Sequence, residues 1–118
     1  MNILSLEKKP LNLKNDGQLE LIFLGVGSSF AATLRQTNFL IIKGNTHIMV
    51  DFGMTGPAAL LETTGLKPTD IETVLPTHSH ADHVGGLECL GLMNRYVGQK
   101  FLKKPKIKLI ITEEYQQV

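Results

Sequence analysis

Thr77-His78-Ser79-His80-Ala81-Asp82-His83-Val84-Gly85-Gly86 holds three of the chain's four histidines within six residues. Neutral imidazole binds zinc and iron, and aspartate adds a hard anionic oxygen. In an extended loop, residues two apart point the same way, so His78 and His80 can grip one metal. If the chain turns into a helix near Asp82, then Asp82 and His83 point elsewhere and can serve a second metal nearby. Gly85 and Gly86 carry no Cβ and let other backbone come close to the cluster. A plain solvent-exposed polar loop is the competing reading. The spacing of the histidines, the short apolar strand expected at Ile71 to Leu75 and the glycine pair all speak against it.

Outward from the cluster, alternating or β-branched apolar runs predict strands at Leu19 to Leu24, Thr37 to Lys43 and Thr46 to Asp51. Gly44-Asn45 between the last two is a hairpin signal, because glycine accepts the positive φ such turns need. Thr55 is expected to cap a helix that Pro57 opens and Gly65 ends. Pro68-Thr69-Asp70 reads as a turn. Leu87 to Tyr96 is expected to be helical, with Leu87, Leu90 and Met93 on its buried side. Ile107 to Ile111 reads as a last strand, with Thr112 capping a short helix. Residues 1–17 read as a polar lead-in, with a turn at Asn15-Asp16-Gly17. The order is strands, helix, strand, helix, strand.

Composition excludes several classes. The 118 residues suit one domain with a modest core. Lys plus Arg (12) nearly balances Asp plus Glu (11), so a charge of +1 gives no generic pull toward nucleic acid or membrane. No apolar run approaches the ~20 residues of a bilayer span, and Met1 to Ser5 does not open like a signal peptide. Cys89 is the single cysteine, so no internal disulfide exists and a cytoplasmic setting is expected. Cys89 itself reads as a buried small apolar residue, and His47 as a structural strand residue rather than a ligand. Lys100, Lys103, Lys104, Lys106 and Lys108 read as a solvated face rather than an RNA footprint. Asp51-Phe52-Gly53 matches a kinase triplet, but the companion kinase motifs are missing. The loop Gly25 to Ser29 lacks the Gly-Lys-Ser/Thr of a P-loop and reads as a tight turn bordering the site.

His78, His80, Asp82 and His83 match every fixed position of His-x-His-x-Asp-His, and the sequence here resembles the metallo-β-lactamase superfamily. Asp51-Phe52-Gly53 is similar to the Asp-x-Gly that ends a strand well before the cluster in that family. The resemblance implies that Asp51 supports the metal loop without ligating. Phe23-Leu24-Gly25-Val26-Gly27-Ser28-Ser29 looks like the opening of the ribonuclease Z and phosphodiesterase branch. The implied fold is α/β, the N-terminal half of an αββα sandwich, over residues 1–118. Superfamily members complete their site downstream with further histidines and a bridging aspartate, and after His83 this chain has neither residue type. The expectation is therefore an incomplete portion of a longer domain, paired with a missing C-terminal half or with itself.

The resulting expectation is a metal-dependent hydrolase with two zinc ions, iron or manganese being alternatives, about 3.5–4 Å apart. His78 and His80 would hold the first, and Asp82 and His83 the second, with Asp82 also orienting the hydroxide as the catalytic carboxylate. The expected substrate is a small-molecule or RNA phosphodiester. The alternatives are a lactone, thioester or β-lactam hydrolase on the same fold, and a non-enzymatic metal-binding module. The 118 residues alone are expected to be inactive, and no membrane partner is expected.

Overall fold

The structure is a computed structural model and describes residues 10–116. The expected lead-in therefore lies outside the described residues over 1–9. From residue 10 onward it is more than a polar tail. Leu11 and Leu13 pack against the core, and the Leu11 N–H donates to the Thr64 carbonyl at 2.8 Å. The turn at Asn15 is built by its side-chain oxygen, which accepts from the N–H groups of Gly17 and Gly44.

One mixed sheet organises the chain. Its strands are β1 (Glu20–Gly25), β2 (Asn38–Lys43), β3 (Thr46–Val50), β4 (Thr73–Leu75) and β5 (Lys108–Leu109), lying side by side in that order. The first three run antiparallel, while β4 and β5 join in parallel. The hairpin of β2 and β3 turns at Gly44-Asn45, with Gly44 at φ 59°. Helix α1 (Gly56–Thr64) crosses from β3 to β4, which is how parallel neighbours must be connected. The short α2 (Ala81–Val84) and α3 (Leu87–Met93) follow β4, and α4 (Glu113–Gln116) follows β5.

The register decides which side chains are buried. Leu24, Leu40, Ile42, Met49 and Val74 turn to one face and are buried with Ala59 and Leu60 of α1, Leu90 of α3, and Leu66, Ile71 and Phe52. Leu21, Phe23, Phe39, Ile41 and Ile48 share the other face, aligned through Leu21 opposite Ile41, Phe23 opposite Phe39 and Ile41 opposite Ile48. Leu21 and Phe23 are 51% and 53% exposed there, and the Phe23 and Phe39 rings touch at 5.2 Å. Val50 belongs to this face by alternation but is buried, where β3 reaches the histidine-rich loop after β4. Among the described residues, no helix is long and apolar enough to cross a membrane.

Several local expectations change on folding. Thr55 precedes α1 but does not cap it with its hydroxyl. That oxygen accepts the Gln36 N–H at 2.9 Å, while Gln36 Oε1 accepts the Thr55 N–H. A tertiary contact has taken the local capping group. Gly65 does end α1, its N–H donating to the Leu61 carbonyl. Helix α3 stops at Met93 and continues as a wider π turn over Asn94–Gln99. Buried Asn94 donates its amide to the carbonyls of Leu90 and Pro68, tying this turn to the 3-10 turn Pro68–Asp70. Of the expected inward residues only Leu90 is fully buried; Leu87 and Met93 are half-buried. Cys89, next to Leu90, falls on the outward side and is exposed, not buried.

Candidate metal centre

Strand β4 ends at Leu75, and the chain bends through Thr77, His78 and Ser79 instead of running extended as expected, with His80 the residue before α2. The first turn of α2 then carries Asp82 and His83. The rings gather: His78 lies edge-on to His80 at 4.6 Å and tilted over His83 at 4.0 Å. His78 is thus as close to His83 as to its expected partner His80. His78 and His80 are exposed, while the Asp82 and His83 side chains are 17% and 19% exposed.

Asp51 sits beneath this loop with its side chain 6% exposed. A buried carboxylate needs donors, and here there are three. The Thr77 N–H donates to Oδ1 at 2.7 Å, and the Thr77 hydroxyl lies 3.0 Å from both oxygens. His83 Nδ1 lies 2.6 Å from Oδ2. Asp51 has φ 59°, a left-handed conformation that aspartate tolerates better than most residues. The neighbouring backbone is pinned as well: the Asp51 N–H donates to the Leu75 carbonyl, the Phe52 N–H to the His83 carbonyl, and the Gly86 N–H to the Phe52 carbonyl. Side chains are excluded where these segments meet. A Cβ on Gly53 would lie 2.6 Å from the Asp82 carbonyl carbon, and one on Gly86 would strike the Gly53 carbonyl oxygen.

The donor chemistry can be tested against a cation. A carboxylate only accepts, so the proton between Asp51 and His83 sits on Nδ1. In the neutral ring Nε2 then presents a lone pair, 3.1 Å from Oδ2 of Asp82, which also offers only lone pairs. Two such atoms attract only with a proton or a cation between them. Two ligands about 2.0–2.2 Å from one zinc at tetrahedral angles stand roughly 3.4 Å apart. The Asp82 and His83 pair therefore fits a divalent cation with little movement. Among the described residues no three histidine, cysteine, aspartate or glutamate side chains converge as a complete metal cage.

His47 stays outside the centre. It is buried in β3, and its Nε2 accepts the Glu72 N–H at 3.0 Å. Burial pushes its pKa below the usual imidazole value, against smaller upward pulls from Glu72 and Asp70. In the basic stretch, Lys104 donates to the Thr69 carbonyl and approaches Asp70, and Lys100 lies over the Tyr96 ring. Two residues of the centre carry little signal in the sequence. Thr77 was visible only as a hydroxyl beside the first histidine. Gln36 had no local signal: buried at the end of the Gly25 loop, its Oε1 reaches Thr55 and the space a Gly53 side chain would need.

The fold is that of metallo-β-lactamases. Similar solved structures include a diphosphatase of the PhnP family (TM-score 0.67, 19% identity, 86% of this chain and 44% of that one). Others are human short-form tRNase Z (0.60, 24%, 75% and 33%) and the Bacillus subtilis metallo-β-lactamase fold protein YhfI (0.56, 23%, 65% and 32%). Among curated proteins, the Anti-Pycsar protein Apyc1 of Paenibacillus sp. (strain J14) is 41% identical over 78 residues, which is 66% of this chain and 31% of that protein. The chain spans about a third of the length of the curated relatives it matches. A family model described as Anti-Pycsar protein Apyc1 matches residues 19–118, and the chain belongs to that family.

Proposed function

We propose that the protein is a metal-dependent hydrolase of phosphodiesters, with a cyclic nucleotide favoured over RNA. The observation that carries the metal reading is the line from Asp51 through His83 to Asp82, at 2.6 and 3.1 Å. Asp51 holds one nitrogen of the ring and turns the other toward a carboxylate, the arrangement by which outer carboxylates orient metal-binding histidines. His78 and His80 would hold one cation, and Asp82 and His83 a second, zinc being the expected metal and iron or manganese the alternatives. Bound there, the cations supply an acidified water and positive charge opposite the phosphodiester. Asp82 would use its carboxylate to orient a water held at the site, and Asp51 keeps His83 from rotating away. A small substrate suits the surroundings, because Lys104 of the basic stretch is already engaged with Thr69 and Asp70 rather than offered to a long phosphate backbone. The reading includes a cover for the open sheet face of Leu21 and Phe23, supplied by further polypeptide or by a second copy.

The test uses the whole protein, purified gently and analysed for metal. About two metals per chain are expected. It is then offered 3′,5′-cyclic mononucleotides, a generic phosphodiester, a lactone and a β-lactam. Turnover of the phosphodiesters, lost on chelation, is the expected result. Tight metal binding with no turnover of any of them would replace the enzyme by a binding module. Protein that is metal-free and cannot be reloaded with zinc, iron or manganese would end the metal reading.

A further inference from the structure

We propose that Thr77 is a positioning residue of this centre, whose hydroxyl passes the hold of Asp51 on to His78, so that one buried carboxylate sets the ring tautomer of two histidines. The inference rests on the metal-site reading above for its consequence, but not for its geometry. Thr77 Oγ1 lies 3.0 Å from each oxygen of Asp51 and 3.0 Å from Nδ1 of His78. A hydroxyl has one hydrogen to give. If it pointed at His78, the hydroxyl oxygen would turn only lone pairs toward two anionic oxygens 3.0 Å away, a repulsive contact in a buried place even though each oxygen has another donor. The hydrogen therefore goes to Asp51, and the hydroxyl accepts from His78, which must carry its proton on Nδ1. His83 is fixed the same way by direct contact, Nδ1 against Oδ2.

The hydroxyl is itself held in place. The Thr77 N–H donates to the same carboxylate at 2.7 Å, so backbone and side chain of one residue grip Asp51 together. Both neutral rings then keep Nε2 free of a proton, that of His83 3.1 Å from Asp82 Oδ2, and the rings lie 4.0 Å apart. Without the hydroxyl, His78 keeps its place in the chain but loses the acceptor that decides which nitrogen is free. An exposed imidazole without such a partner samples both tautomers and two ring orientations, and only part of that population presents Nε2 to a cation.

The experiment is a long-range proton–nitrogen correlation spectrum of the whole protein, labelled at histidine nitrogen and stripped of metal. The His78 signals are identified by their loss in His78→Asn. Wild type and Thr77→Ser are expected to show His78 protonated on Nδ1. Thr77→Val, similar in shape but without the hydroxyl, is expected to show the Nε2-protonated form or a mixture, with His83 unchanged. A wild-type His78 protonated on Nε2 overturns the proposal, as does a Thr77→Val spectrum identical to wild type. The wild-type spectrum decides the matter even if the valine variant does not fold. Zinc titration is the second readout. Thr77→Val is expected to weaken binding about 10-fold or more, the lower end for lost outer partners, and Thr77→Ser to restore it. If wild type takes up no metal, the site reading falls while the spectrum still decides the role of Thr77.

Discussion

Replacing Gly53 by alanine adds one methyl group at the joint between the Asp51 segment and the metal loop. Its Cβ would lie 2.6 Å from the Asp82 carbonyl carbon and 2.6 Å from Gln36 Oε1, where ordinary contact begins at 3.4 Å. The joint must open by at least 3.4 − 2.6 = 0.8 Å, and by more to clear the Asp82 carbonyl oxygen, which the Cβ would meet first. Neither neighbour yields easily, since one is backbone and the other is buried and bonded to Thr55. The bonds that close the joint, Phe52 N–H to His83 and Gly86 N–H to Phe52, are each 2.8 Å. Stretched by the same amount they reach 3.6 Å, which is no longer a hydrogen bond. Two such bonds contribute about 0.5–1.5 kcal/mol each, and overpacking costs about 1–3 kcal/mol. A loss of about 3–4 kcal/mol is the central expectation. A curated relative of which 78 matched residues are 31% has roughly 250 residues, a size at which 1 kcal/mol moves the melting temperature about 2–4 °C. Gly53→Ala in the whole protein should therefore melt about 6–16 °C lower by calorimetry. Because Asp82 moves with the joint, turnover should fall about 100-fold, the usual cost of misplacing a reacting group by about 1 Å. Melting within 2 °C of wild type, with metal content and turnover unchanged, would refute the close-approach argument.

Asp82→Ala should abolish hydrolysis while the far-ultraviolet spectrum stays native, because Asp82 lies at the site and outside the core; turnover with metals retained would remove it from the mechanism. Asp51→Ala should weaken metal binding about 10–100-fold without removing a ligand, and an unchanged zinc-titration midpoint would count against that. His47 has its pKa lowered by burial, so the unfolded chain takes up its proton first as pH falls through the ordinary imidazole value. Stability should be level above that value and decline below it. His47→Gln, which keeps an acceptor for the Glu72 N–H, should flatten melting temperature between pH 8 and pH 5.5, and an unaltered slope would assign the decline to other groups. Residues 1–118 expressed alone should associate or aggregate through the open face of Leu21 and Phe23 and show no turnover; a stable active monomer by light scattering would overturn the need for a cover.

What could be read from the chain and what could not divide along a physical line. The hairpin at Gly44-Asn45, the end of α1 at Gly65 and the histidine spacing are local signals, decided by turn geometry and by residues within a few positions. Thr55 looked like a helix cap by the same local logic, but Gln36, 19 positions away, took its hydroxyl. Cys89 looked buried by residue type, and only the phase of α3, set by Leu90, turned it outward. Asp51 shows the two kinds of information meeting. Its place at the end of β3, before Phe52 and Gly53, was legible; its grip on Thr77 and His83, 26 and 32 positions on, was not. The link between the two is its positive φ. At a continuing strand residue, the side chain and the next N–H would follow the alternation of β3. Here the chain breaks that alternation. The Asp51 N–H reaches β4, its carboxylate reaches Thr77 and His83, and the next N–H reaches the His83 carbonyl. The carboxylate and the next N–H thus close on one loop, while the Asp51 N–H ties the segment to β4. The left-handed turn costs roughly 1–3 kcal/mol, and the hydrogen bonds it aims at the loop offset that cost. The strain lies at the residue that fixes the histidines, and no spacing rule along the sequence would have located it.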